Sequence, residues 1–130
     1  MYDLLSGLRV IEGSAFVAAP LGGMTLAQLG AEVIRFDPVG GGMDHKSWPL
    51  DSKGSSLYWA GLNKGKKSIA VNAREIEGRE LIEAIICQPG PDNGIFLTNH
   101  PPGGPFSYDK LKSKRDDLIM VNAVSYTHLT

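Results

Sequence analysis

Apolar residues in this chain fall in short runs separated by glycine and proline, and the spacing inside the runs alternates between two periods. "LRVIE" (8–12) and "AEVIRFD" (31–37) are compact apolar runs, the first followed by Gly13 and the second ending in Asp37 and a glycine cluster, which predicts two strands. Between them Pro20 suits the first turn of a helix and Gly30 its C-terminal end, with Gly22, Leu26 and Leu29 along one stripe. Gly23 and Ala27, four apart, would let that helix approach a neighbouring backbone closely. A polar loop over about 38–56 leads to a third strand, "KSIAV", with Ile69 and Val71 on one face. A helix over 76–87 follows, with Leu81, Ile82, Ile85 and Ile86 on one side, Arg79 and Glu83 spaced for an exposed pair, and Pro89 beyond its end. "GIFLT" (94–98) is the next strand. Ser107 is placed to cap a polar helix running to about Asp117, and "LIMVN" is the last strand. Strands that alternate with helices through short crossovers predict an α/β fold with a parallel sheet and flanking helices.

Composition narrows the function more than the fold. The 130 residues suit one domain or part of one, and 13 basic against 14 acidic side chains leave a net charge of -1, with no overall field to gather nucleic acid or a membrane surface. Any anion site has to be local. One stretch qualifies: between Asp51 and Glu75 the chain carries Lys53, Lys64, Lys66, Lys67 and Arg74 and no acidic residue. Asn63, Gly65 and Ser68 interleave the lysines with turn-forming residues, the makings of an ordered loop that focuses charge on a phosphate; a solvated surface loop is the plainer account. The single cysteine, Cys87, lies on an apolar helical face and suggests a small hydrophobe in a reducing compartment. The first residues lack the pattern of a signal peptide and no window is apolar enough for a membrane span, so a cytoplasmic protein is expected.

Three further features bear on chemistry. In "GSAFVAAP", Gly13, Ala15 and Ala18 stand where a dinucleotide fingerprint has its glycines, and Asp37 follows at the end of strand two. Ala15 spoils the close backbone approach that the middle glycine allows, so a tight strand-to-helix turn competes with NAD(P) binding in an oxidoreductase. His100, after Asn99 at the end of a strand, stands at the carboxyl edge where α/β ligands bind, whereas His45 sits in a polar loop. Three histidines and one cysteine show no metal-ligand spacing, and no G-x-S-x-G motif occurs, so neither a metal site nor a serine nucleophile is expected.

The stretches "LSGLRVIEGSAFVAAPLGGMTLAQLGAEVIRFDPVGGG", "LNKGKKSIAVNAREIEGRELI" and "IFLTNHPP", followed by "YDKLKSKRDDLIMVN", resemble in order and spacing the N-terminal part of the class III coenzyme A transferases (CaiB/BaiF type), over residues 5 to about 122. The opening looks most like the mesaconyl-CoA branch of that family, which moves CoA between carboxyl groups of a branched C5 dicarboxylic acid. The resemblance implies a Rossmann-like large domain of an interlocked homodimer, cut to its N-terminal part, with an acyl-CoA substrate across the strand ends and no metal. It also implies that Val17 and Ala18 contact the nucleotide or pantetheine, that Val71, Asn72, Ala73 and Arg74 border the adenosine end, and that Asn99 and His100 line the thioester region. Lys66 and its neighbours would serve the phosphates. Many relatives carry an arginine near the end of strand two where this chain has Pro38, so Arg35, Lys64 or Lys66 would compensate. The family's aspartate nucleophile, which forms an anhydride with the acyl group, matches none of Asp37, Asp44, Asp51, Asp92, Asp109, Asp116 or Asp117. No catalytic residue is therefore assigned, and the chain alone is not expected to transfer CoA.

Residues 1–123 accordingly read as the CoA-binding part of the large domain, and 124–130, "VSYTHLT" after Ala123, resemble translated sequencing adapter and are expected to be non-native. An α-methylacyl-CoA racemase shares the N-terminal pattern and is the alternative within the family. A nicotinamide oxidoreductase or a non-catalytic nucleotide-binding module is the alternative outside it.

Overall fold

The computed structural model describes residues 2–101 and 103–124. Five strands, β1 (Arg9–Gly13), β2 (Glu32–Asp37), β3 (Lys67–Ala70), β4 (Ile95–Thr98) and β5 (Ile119–Asn122), form one sheet in the order β3-β2-β1-β4-β5. Every pairing is parallel, as the alternation of elements predicts. Helices α1 (Ala18–Gln28), α2 (Leu57–Leu62), α3 (Ile76–Ile86) and α4 (Tyr108–Lys112) fill the connections. The strand order reverses between β1 and β4, so the switch point of the sheet lies at their carboxyl ends.

Alternation along the strands divides the core into two. Val10, Val33 and Leu97 face α1 with Ala19 and Ala27, while Ile11, Phe36 and Phe96 face the other way, against Ile82 and Ile86 of α3 and Leu111 of α4. Two expected details of the helices change. The fully buried residues of α1 are Ala19, Pro20, Gly23 and Ala27, whereas Gly22, Leu26 and Leu29 are half-buried, Leu26 packing against the same core. Small side chains win there because the helix lies so close to β1 that a Cβ at Gly23 would come within 1.7 Å of Glu12 Oε1. On α3, Leu81 is exposed, and Arg79 and Glu83 do not pair: Arg79 donates to the Ala73 and Arg74 carbonyls, and Glu83 takes Lys114 at 2.7 Å.

The helix ends follow local chemistry. α1 closes in a Schellman motif, with Gly30 at φ +108°, its N–H on Ala27 O, and Ala31 N–H on Leu26 O. α2, which the apolar pattern does not reveal, is capped by Ser56 Oγ accepting from Trp59 N–H at 3.0 Å. α4 stops at Lys112, well short of Asp117, and Ser107 makes no side-chain cap. Cys87 packs half-buried against the core, with its Sγ near Leu111 O, and burial pushes its thiol up, as suits an inert residue. The proposed non-native tail lies, apart from Val124, outside the described residues.

Candidate functional site

Buried charge dominates the α1 face of the sheet. Glu12 and Arg35 are register partners on β1 and β2, and both are buried, at 0% and 1% exposed. Arg35 donates through Nε to both Asp37 oxygens (3.2 and 3.0 Å), through Nη1 to Asn63 Oδ1 (2.9 Å), and through Nη2 to Ser14 O (3.0 Å) and Asp44. Lys66 Nζ reaches the same cluster, donating to Glu12 Oε2 (2.9 Å), Pro20 O (2.9 Å) and Asn63 Oδ1 (2.8 Å). Burial raises the pKa of Glu12, opposed by Lys66 and Ser14, and burial likewise lowers that of Lys66, opposed by Glu12. Glu12 Oε2 accepts Ser14 and Lys66, but Oε1 has no partner among the described residues.

This arrangement redirects the reading of the basic stretch. Lys66, expected at a phosphate, has its three donors spent inside the chain, and its side chain is 2% exposed. Lys67 opens β3 and pairs with Glu32 at 2.8 Å on the surface, toward the amino half of the sheet. Lys64 is exposed before β3. Arg35 is committed to the buried cluster, and Asp37, the acid a dinucleotide ribose would need, is held by Arg35 on both oxygens.

The first crossover turn is saturated in the same way. Ala15 N–H donates to Asn99 Oδ1 (3.0 Å) while Asn99 Nδ2 donates back to Ala15 O, and Phe16 N–H donates to Asp44 Oδ2 (2.8 Å). Thr98 Oγ1 donates to Gly13 O at 2.6 Å. Asn99 and Thr98 thus stitch the switch point shut between β1 and β4. The turn amides of Ala15 and Phe16 are taken, which removes the feature that makes a dinucleotide fingerprint work.

What stays open is a cleft of about 820 Å³ at the carboxyl edge, on the α3 side. Its floor is Phe36, Phe96 and Met120; its walls come from Pro38, Val39, Gly42 and Met43 after β2, Val71 to Arg74 after β3, and His100, Pro101, Phe106 and Tyr108 after β4. Phe36 stacks on Phe96 at 6.2 Å and meets Phe106 at 5.8 Å, so the floor is continuous with the core. Arg74 is the one Arg or Lys side chain lining the cleft among the described residues, and its guanidinium makes no hydrogen bond or ion pair with them. His100 faces the same cleft. Desolvation, with the Arg35 charge behind it, lowers its pKa, so the imidazole is neutral at pH 7.

Of the residues expected to bind, the structure brings Val71, Asn72, Ala73, Arg74 and His100 together on one cleft. Val17 and Ala18 lie exposed at the start of α1, away from the cleft lining, and Asn99 is used to brace the turn. Sequence reasoning missed the buried cluster and Asp44. Its signal was present: Glu12 and Arg35 are opposite charges inside otherwise apolar strands.

A family model for "CoA-transferase family III" matches residues 5–128. The chain is 64% identical over 125 residues to 2-methylfumaryl-CoA isomerase of Chloroflexus aurantiacus, covering 95% of this chain and 31% of that protein. It is 33% identical over 127 residues to succinyl-CoA–D-citramalate CoA-transferase of the same organism, covering 94% and 31%. Among solved structures, a CaiB/BaiF family protein from Brucella suis superimposes with a TM-score of 0.79 at 32% identity, over 92% of this chain and 33% of that one. The chain spans about a third of the length of the curated relatives it matches. Sequence and fold agree that this chain belongs to CoA-transferase family III.

Proposed function

We propose that residues 1–123 are the coenzyme-binding part of a family III large domain, and that the whole enzyme moves CoA between the carboxyl groups of a branched C5 dicarboxyl-CoA. The name of the 64%-identical relative, 2-methylfumaryl-CoA isomerase, supports the substrate class. The observation that carries the binding role is the cleft itself: an apolar, aromatic-floored slot at the carboxyl edge of a parallel sheet with one uncommitted guanidinium at its rim. CoA has matching parts, namely a long pantetheine arm for the slot and a diphosphate and 3′-phosphate for Arg74. Asn72 and His100 add hydrogen-bonding groups, and His100, neutral at pH 7, can donate to or accept from an acyl carbonyl or carboxylate without placing a charge beside the thioester.

Transfer itself needs a carboxylate that attacks the thioester carbon and expels the CoA thiolate. Asp37 lines the cleft but has both oxygens bound by Arg35, so this part of the molecule binds and orients while the attacking carboxylate comes from elsewhere in the enzyme. An interlocked homodimer in the cytoplasm belongs to the same proposal.

Calorimetric titration of the chain with CoA and with NAD, side by side, tests the reading. CoA should bind and NAD should not; tighter binding of NAD would overturn it.

A further inference from the structure

Phe16 adopts φ +65°, the left-handed region that residues with a Cβ avoid, at the turn between β1 and α1. It is 46% exposed, so packing does not account for the conformation. What holds it is Asp44. Its Oδ2 accepts the Phe16 N–H at 2.8 Å, and the same carboxylate takes Arg35 Nη2 at 3.3 and 3.4 Å, with 1% of Asp44 exposed. Arg35 Nη2 donates to Ser14 O as well, so one guanidinium and one carboxylate hold both ends of the turn.

Asp44 also ends the segment that walls the cleft. Pro38, Val39, Gly42 and Met43 line one side, while Ser14 and Ala15 of the turn line another. Between Asp37 and Asp44 the segment is tied by the turn bonds Gly41 N–H to Pro38 O and His45 N–H to Gly42 O. Gly42 packs so near that a Cβ there would lie 3.2 Å from Asp37 Oδ1 and 3.3 Å from Asp44 Oδ1. The wall is thus pinned where β2 ends and again at Asp44, and the second pin is the carboxylate that fixes Phe16.

We propose that Asp44 is a positioning residue of the cleft, latching the 38–43 wall to the β1–α1 turn and setting CoA affinity without touching the ligand. Its cleft is the one assigned to CoA above, and the inference rests on that reading. An amide in place of the carboxylate keeps the shape but turns an NH2 or a neutral oxygen toward Arg35, which weakens the latch while Arg35 keeps Asp37 and Glu12 as counter-charges.

The test compares the chain with its Asp44→Asn variant by site-resolved amide hydrogen exchange and by CoA titration at a temperature where both are folded. The Phe16 amide should exchange at least tenfold faster in the variant, with β1 and β4 amides unchanged, and the CoA Kd should rise about tenfold. A Kd that stays the same, or a Phe16 exchange rate that rises only in step with the core amides, would mean that Asp44 stabilises the fold and nothing more. Should the unsubstituted chain bind no CoA, the coenzyme reading fails, and an unchanged Phe16 exchange rate would then sink the latch separately. The proposal does not depend on the variant folding: in the unsubstituted chain, Phe16 exchange at the rate of an unstructured peptide overturns it.

Discussion

The Lys66 ammonium lies 2.9 Å from the Glu12 carboxylate, deep under α1, with 2% and 0% of the two side chains exposed. A lysine from the most basic stretch of the chain is therefore a pillar of the fold, joining β1, the entry to β3, and the Pro20 carbonyl of α1. Breaking such a pair strands the partner charge in a dry site. Lys66→Met should cost about 3–5 kcal/mol in urea unfolding, whereas Lys64→Ala, on the exposed loop, should stay within about 0.5 kcal/mol. Replacing both partners, Lys66→Met with Glu12→Gln, should recover a large part of the loss. Equal stability of the single and double variants would contradict the pairing.

The two glycines of α1 should respond in opposite directions to the same substitution. Gly22→Ala adds a methyl whose nearest neighbour is Leu97 Cδ2 at 3.7 Å, an ordinary contact, so better helix propensity should stabilise the chain by about 0.5–1 kcal/mol. Gly23→Ala drives the methyl into Glu12 Oε1 and should destabilise it by about 1–3 kcal/mol. Thermal melts of the two variants check this, and a Gly23→Ala chain as stable as the parent would show that α1 does not sit where described.

Arg74 should separate binding from stability. Its exposed guanidinium makes no hydrogen bond or ion pair with the described residues, so Arg74→Ala should leave the melting temperature nearly unchanged. Losing charge-assisted phosphate contacts worth about 1.5–3 kcal/mol should weaken CoA roughly 10- to 150-fold. Calorimetry at two salt concentrations should also show a shallower salt dependence in the variant.

One buried group, Glu12, and one exposed group at the cleft, His100, give pH slopes of opposite sign. Burial raises Glu12 above its ordinary value of 4.5, so between 4.5 and the raised folded value the folded chain keeps a proton that the unfolded chain releases. Stability from this group is present at low pH and falls as pH climbs from 4.5 through the raised folded value. His100 is shifted down from 6.5 by desolvation, so the unfolded chain binds the proton first as pH drops. Its contribution is lost as pH falls from 6.5 through the lowered folded value, and is flat above 6.5. Difference curves of unfolding free energy against pH, parent minus Glu12→Gln and parent minus His100→Gln, should slope downward and upward respectively. A reversed sign for either would refute its assignment.

Much of this molecule is legible along the chain. Period-two runs bounded by glycine mark the strands, and Gly30 marks the end of α1, because both depend on local backbone sterics and on which positions must avoid water. The carboxyl edge as the binding edge follows from parallel strands, since loops leaving them gather there, and its Val71 to Arg74 wall was expected from the family resemblance. Residues 57–62 lacked a helical apolar stripe, so α2 shows itself only through its Ser56 cap.

What tertiary structure alone decided is where the charges go. Lysine spacing cannot say whether an ammonium points to solvent, to a ligand or under a helix; that depends on Glu12 and Arg35 meeting at one register across two strands far apart in sequence. Asp44 reads as one more polar residue in a loop until folding brings it 2.8 Å from the Phe16 amide, a contact 28 residues away in sequence. Local patterns fix elements because their causes are local; the ionic cluster, the sealed turn and, among the described residues, the one free arginine are fixed by long-range packing, where desolvation makes each buried charge find its partner.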